Sequence, residues 1–399
     1  MDKKNLLLLF LFLISPLLSL PFILVGMYER RKASFVYFSL FMGLFSFLTY
    51  PASDLFRHFE NYDYYKNLPF SYFVETLPGD IFTQLLSYGS ANLGIPYEFN
   101  RLFTMTVFFL LIFFVFNQVI DKATVSYNKR EIFIRLLIFL FTVSYFTALI
   151  GVRSGFALSF FLVGLYYWLD CKRMKIAFFF FILATSIHYS MAIFTIGILL
   201  LSRVRQHKWT LFIYASLFVI LSAFLIQQLE NYLLLFDLNT QASYLGDGIW
   251  GTGGAENKSF RGLVFNWLMR ISIVPFLILW YNNISNANPW SRCLTALILL
   301  YVLFFNFVTI SSRIFLILGG TLGLYVTWLE SFKMKKNRYV NIFFLFSVLF
   351  FTTQLYARRD FVRVSEYRRL ALPVPYILTQ HYEINSVYRS LDYEDLIRR

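Results

Sequence analysis

The chain has 399 residues, of which 58% are hydrophobic and 21% aromatic, with a mean hydropathy of +0.60. That balance excludes an ordinary soluble domain and places the chain among polytopic membrane proteins, whose helices use the bilayer in place of a large core. The net charge of +14 does not argue for nucleic acid as a partner, because much of it lies in short loops where it orients helices by the positive-inside rule.

A spanning helix needs about 20 apolar residues. In chain order the candidates are 5–27, 33–50, 101–120, 132–150, 154–170, 176–201, 210–228, 262–281, 294–312, 314–330 and 340–356. The first is too long for a signal-peptide core and lacks a small-residue cleavage site, so it reads as the first membrane helix. The expected fold is therefore all-α: a single integral membrane domain over 1–356 with about 11–12 passes. Polar segments 51–100 and 229–261 interrupt the spans, and a charged tail, 357–399, follows the last one. Within the first polar segment, 78–97 alternates apolar and small polar residues at helical spacing and predicts an amphipathic helix on the outer interface. No internal repeat is visible, which weighs against an inverted-repeat transporter.

The short loops orient these spans. Arg30, Arg31 and Lys32 place the first loop in the cytoplasm, so 51–100 lies outside; Lys122, Lys129 and Arg130 are inside again, and Lys172, Arg173 and Lys175 likewise. The alternation breaks at 176–201. One helix there would put Arg203, Arg205 and Lys208 outside, whereas two short passes meeting near His188 return them to the cytoplasm. The two-pass reading is preferred, and it makes 51–100, Arg153, His188, 229–261, Arg313 and the tail external. Cys171 and Cys293 adjoin loops read as cytoplasmic, where a disulfide is not expected.

Cations are placed where a bilayer normally forbids them. A central arginine costs about 2.5–3.5 kcal/mol on insertion scales, so such residues usually face a cavity and serve a function. Arg153 is the charge in the turn Gly151-Val-Arg153-Ser-Gly155, where glycine lets the backbone bend and a guanidinium presents a planar fork to phosphate oxygens. His188 lies amid apolar residues, with an unperturbed pKa of about 6.5 that suits a base or a phosphate-pairing cation. Arg270 is about 12 Å inside its span at the usual helical rise, and Arg313 follows Ser311-Ser312 at an inter-helix turn. Fixed positive charge beside a membrane points to an anionic ligand that lives there, such as a lipid-linked phosphate or pyrophosphate. The segment Asp54-Leu-Phe-Arg57-His-Phe-Glu60-Asn-Tyr62-Asp63-Tyr64-Tyr65 interleaves carboxylates, cations and aromatic faces, as a carbohydrate pocket requires. The bland alternatives are snorkelling arginines, an interfacial aromatic belt and a histidine bonded to a neighbouring helix. No acid is seen mid-span, and no HExxH, Cys/His metal spacing, Walker A or GxGxxG is present, so neither a metal nor a nucleotide cofactor is expected.

These residues resemble, in order and spacing, the bacterial Wzy/EpsG-like polysaccharide polymerase family. Its pattern is an external Asp-Leu-x-Arg-Tyr, then Gly-x-Arg-x-x-x-Ala, Ile-His-x-Ser and a late arginine opening a helix. Here these read Asp54-Leu-Phe-Arg57-His58, Gly151-Val-Arg153-Ser-Gly-Phe-Ala157, Ile187-His188-Tyr-Ser190 and Arg313, with Pro375-Tyr376 in the tail; His58 stands where the family has tyrosine. The resemblance implies a metal-independent glycosyltransferase that joins undecaprenyl-diphosphate-linked oligosaccharides at the outer face of the bacterial inner membrane. It implies Arg153, Arg270 and Arg313 as the pyrophosphate clamp, His188 as general base with Asp54 or Asp63 as the alternative, and Arg57 and Tyr65 as sugar contacts. The implied partners are the lipid-linked oligosaccharide, the bilayer and a chain-length regulator protein. A flippase of lipid-linked sugar and a polysaccharide ligase are the competing readings.

Overall fold

The computed structural model describes residues 3–381 apart from 52–53, 76, 78–79, 144, 151, 205, 236–259, 286–287, 306–307, 334 and 337, so most of the second polar segment lies outside the described residues. The described chain is all-helical. Three helices have the length and hydropathy to cross a membrane, Tyr97–Asp121, Ile310–Glu330 and Val340–Ala357, and seven more are apolar but shorter. Together they make a polytopic membrane protein.

The shorter helices arise because several expected spans are broken by identifiable residues. The stretch 5–27 divides into α1 (Lys3–Ile14) and α2 (Pro16–Tyr28). Pro16 has no N–H to donate, and Ser15 leaves the helical conformation to cap α2 through its hydroxyl, which accepts from Leu18 N at 3.3 Å. After α3 (Lys32–Phe47), the polar segment folds as α4 (Asp54–Tyr65), α5 (Phe70–Glu75) and α6 (Ile81–Asn92), followed by the long α7 (Tyr97–Asp121). The stretch 132–150 is carried by α8 (Lys129–Thr142) and α9 (Tyr145–Ile150), and α10 spans Val152–Leu169. The stretch 176–201 breaks where His188 adopts extended backbone, into α11 (Met174–Ile187) and α12 (Ser190–Leu201). Then come α13 (Lys208–Leu235), α14 (Phe260–Ser272) and α15 (Val274–Asn282), the last two separated ahead of Pro275. The remaining long helices are α16 (Pro289–Leu303), α17 (Val308–Lys333) and α18 (Val340–Ala357), with short α19 (Arg359–Val364) and α20 (Val374–Leu378) after them.

Polar contacts sort the loops to two ends. At one end Arg30 meets Asp121 at 2.6 Å, Lys122 approaches the Cys171 sulfur at 3.3 Å, and Lys336 pairs with Glu131 at 3.0 Å. The indoles of Trp290 and Trp328 both donate to Asp170 there. Met174, which opens α11, and Arg203, which follows α12, line one cavity at this same end. The chain therefore enters along α11, turns at His188 and returns along α12, so both basic clusters share an end, as the two-pass reading requires. At about 1.5 Å per residue the two helices rise about 21 and 18 Å, short of a bilayer core of about 30 Å.

Two buried arginines join the helices. Arg135 of α8, 2% exposed, makes a two-point contact with Glu330 of α17, from Nε at 2.8 Å and Nη2 at 2.9 Å, and Tyr127 adds a hydroxyl at 2.6 Å. Arg101 of α7 is fully buried and caps the end of α3 by donating to the carbonyls of Thr49 and Phe47 at 2.6 and 2.8 Å. α17 approaches α8 at Gly323, where an added Cβ would meet the Thr142 hydroxyl at 1.9 Å, the close backbone approach that small residues allow between membrane helices. The tail begins with packed structure: Tyr367 stacks on Phe45 at 3.8 Å and shares a 2.9 Å hydrogen bond with Thr49, and Leu370 and Ile377 are buried.

Candidate functional site

Helix α6 carries the residue around which the site is organised. It is the amphipathic helix of the first polar segment, with its faces reversed relative to a soluble helix. Asp80, Thr83, Gln84 and Ser90 are buried, whereas Ile81 and Leu85 are exposed. Polar atoms turned inward need protein partners, and α4, α7 and α11 supply the packing surface.

Asp80 sits at the N-cap of α6, a position where an aspartate ordinarily accepts from its own helix. It makes no such bond. Its carboxylate, 2% exposed, is turned to the break between α11 and α12 and to the start of α10. Oδ1 accepts from the backbone N–H of Tyr189 at 2.9 Å and contacts His188 Nδ1 at 3.1 Å, while Oδ2 pairs with Arg153 Nη1. Burial alone would raise the carboxyl's pKa, but the bonds from His188 and Tyr189 and the Arg153 charge outweigh it and hold Asp80 below the usual carboxylate range. An ionised carboxylate has no proton to give, so His188 Nδ1 carries the hydrogen and Nε2 keeps a lone pair. The carboxylate thus sets the tautomer of the imidazole, the logic by which an aspartate orients a catalytic histidine.

The backbone explains why these groups meet. His188 is extended because α11 ends there, which frees the Tyr189 N–H for Asp80. α10 opens after Gly151, itself outside the described residues, and crosses α9 so closely that a Cβ on Gly155 would lie 2.2 Å from that of Ala148. That approach sets Arg153 in the first turn of α10 beside the α6 cap. Ala148, Ser154, Gly155, His188, Ser190 and Arg313 then share a narrow cleft. Its enclosed volume is about 10 Å³, room for roughly one water. Ser190 Oγ is buried in the cleft wall and has no hydrogen-bond partner among the described residues.

α4 approaches the same centre. Burial first, then the charges of Arg153 and Arg57, lower the His58 pKa to about 3, so this imidazole is neutral at any working pH. It is a hydrogen-bonding group but a poor base.

The residues singled out in the sequence therefore separate. His188 and Arg313 line one cleft, Arg153 joins His188 through Asp80, and Arg57 lies exposed on α4, close enough for its charge to act on His58. Arg313 stands in the second turn of α17 rather than at an inter-helix turn, because that helix already begins at Val308. Tyr65 is 7% exposed; its hydroxyl donates to Gln84 Oε1 at 2.6 Å and its ring packs on Phe73 and Tyr88. Asp63 is exposed and paired with Lys66 at 2.7 Å. The backbone of Asp54 opens α4, and its side chain lies outside the described residues. Arg270 ends α14, stacked over Phe305 at 4.7 Å and Trp267 at 5.8 Å. Three acids are buried at helix ends rather than mid-span, Asp80, Glu98 and Glu330, each 2% exposed. Asp80 was missed because an aspartate before an apolar run has the signature of an ordinary helix cap.

Among the described residues no group of three or more metal-ligating side chains is gathered. No curated protein and no solved structure matches the chain significantly. The model of the EpsG family matches residues 32–368, which takes in α3 through the 3₁₀ turn at Tyr367 and every residue of the Asp80 centre. The chain is therefore a member of the EpsG family.

Proposed function

We propose that this protein is a metal-independent polysaccharide polymerase of the bacterial inner membrane. It joins oligosaccharide repeats carried on undecaprenyl diphosphate, with its site open to the outer face. The observation that carries the reading is the Asp80 centre: one buried carboxylate fixes the Arg153 guanidinium and the tautomer of the His188 imidazole, and that imidazole lines a cleft with Arg313 and a serine hydroxyl that has no partner among the described residues.

In the reaction the acceptor sugar's hydroxyl oxygen bonds to the anomeric carbon of the donor chain. The bond from that carbon to the diphosphate oxygen breaks, and its electron pair leaves with undecaprenyl diphosphate. His188 Nε2 takes the hydroxyl proton as the nucleophile forms its bond. Arg153 and Arg313 stabilise the charge that develops on the departing diphosphate, and preorganised charge of this kind is often the largest catalytic contribution. Ser190 Oγ supplies a further hydrogen bond to the ligand. Arg57 and the ring of Tyr65 serve the sugars from α4, and Arg270 serves the lipid-diphosphate from α14. A cleft with room for one water must widen to admit a diphosphate.

The test is a gel of surface polysaccharide from the native host after deletion of the gene, complemented with wild type, Arg153→Ala or His188→Ala. The expected result is collapse of the ladder to a single repeat, restored by wild type alone. Repeats stranded at the inner face would instead identify a flippase, and full-length chains left on the carrier a ligase.

A further inference from the structure

At the end of the bundle opposite Asp80 a second, larger cavity of about 500 Å³ opens between α10, α11, α12 and α16. That size is within the usual range of about 300–1,000 Å³ for small-molecule sites. Its charged lining is cationic: Lys172, Arg203 and Arg292, accompanied by Trp168 and Ser202. These cations are exposed, and among the described residues none of them forms an ion pair with a carboxylate. The one acid in the adjoining turn, Asp170, does not pair with them: its Oδ1 accepts from Trp290 and Trp328 at 3.0 and 2.6 Å, and its Oδ2 is buried without a hydrogen-bond partner among the described residues. Lys172 itself sits in the left-handed region at φ 56, where a residue with a side chain is disfavoured. The turn thus keeps a strained cation at the cavity mouth while its acid is tied to two indoles.

The cavity surroundings indicate the source of the anion. From Leu199 at the cavity wall, Leu200, Ile196 and Ile193 form an exposed apolar stripe along α12, one helical face at spacing of three and four residues. A soluble anion has no use for such a stripe, whereas the acyl chain of a lipid does. Basic pockets between membrane helices at the cytoplasmic surface suit anionic head groups, and the basic loops assign this end to that side.

We propose that Lys172, Arg203 and Arg292 form a binding site for the phosphate of an anionic phospholipid of the inner leaflet. The site is separate from the Asp80 centre: along α10, Arg153 of that centre and Trp168 of the cavity wall stand about 22 Å apart at the usual helical rise. The inference stands on the cavity and its lining, and it survives if the polymerase reading fails.

The test is native mass spectrometry of delipidated full-length protein titrated with phosphatidylglycerol or phosphatidylcholine. Wild type is expected to retain phosphatidylglycerol at least tenfold more strongly, and Lys172→Gln/Arg203→Gln/Arg292→Gln to lose that preference. Lys172→Gly gives an independent reading, since it removes a cation and relieves the backbone: lipid preference falls while the melting temperature holds or rises, whereas a purely structural lysine would lower both. Inorganic pyrophosphate is the soluble probe. If it binds and phosphatidylglycerol shows no advantage over phosphatidylcholine, the ligand is a soluble phosphate and the lipid assignment is overturned. Equal retention of both lipids by wild type, without pyrophosphate binding, overturns the site itself.

Discussion

Asparagine at position 80 keeps the shape of the side chain and removes its charge, and the geometry says which bond it loses. Oδ1 serves both Tyr189 N–H and His188 Nδ1, whereas Oδ2 serves Arg153 alone. The amide of Asp80→Asn therefore keeps its carbonyl towards the two donors and turns its NH₂ towards the guanidinium, donor against donor. A hydrogen bond to a charged group contributes about 1.5–3 kcal/mol. Because the Arg153 side chain is 29% exposed, water replaces part of that, and about 1.5–2 kcal/mol is the appropriate range. Expressed wholly in the transition state it lowers the rate about 10–30-fold. Asp80→Ala also strands the Tyr189 and His188 donors, a further cost of about 1–3 kcal/mol, and it lowers the amount of folded protein as well as the rate. The assay is chain growth by purified protein in proteoliposomes supplied with a lipid-diphosphate-linked repeat. Placed on Arg153→Gln, the asparagine adds little further loss, since the partner it would have released is already gone. Full activity in Asp80→Asn, or independent losses in the double variant, would refute the view that Asp80 works by holding Arg153.

Glu330→Ala leaves Arg135 as a buried, uncompensated cation and destabilises the protein by about 3–5 kcal/mol, read as a lower melting temperature in detergent; Arg135→Met/Glu330→Leu recovers most of it, because both charges are gone. Gly155→Val drives a side chain into Ala148, where even a Cβ would be 2.2 Å away, so polymer is lost through displacement of Arg153, with little effect expected from Ala157→Gly two residues on. His58, lowered to about 3 by burial and by Arg153 and Arg57, titrates near 6.5 when unfolded, so its contribution to stability is full above that value and falls as the pH drops towards 3. Between pH 7.5 and 5 it accounts for at most about 2 kcal/mol of lost stability, and His58→Tyr, the family's residue, removes this share of the acid sensitivity while retaining activity, as a thermal-melt series in both proteins would show.

The hydropathy of the chain determined its class, since runs of Phe, Leu and Ile of bilayer length have no other stable setting. The same one-dimensional pattern marked Arg153, His188 and Arg313 as cations out of place, and the basic loops 172–175 and 203–208 favoured a turn near His188. Other helix ends were less legible, because a proline breaks a helix without interrupting its apolar run, as at Pro16 and Pro275. What the tertiary structure alone decided is the partnership. A sequence cannot show whether an N-cap aspartate bonds to its own helix or reaches across to another, so Asp80 was indistinguishable from an ordinary cap. Nor can it show that Arg270 stacks on Phe305 and Trp267, or that the Tyr65 hydroxyl bonds to Gln84. Those outcomes depend on which helices cross closely, and crossing is set by side-chain volume where two helices meet, as at Gly155 against Ala148 and Gly323 against Thr142.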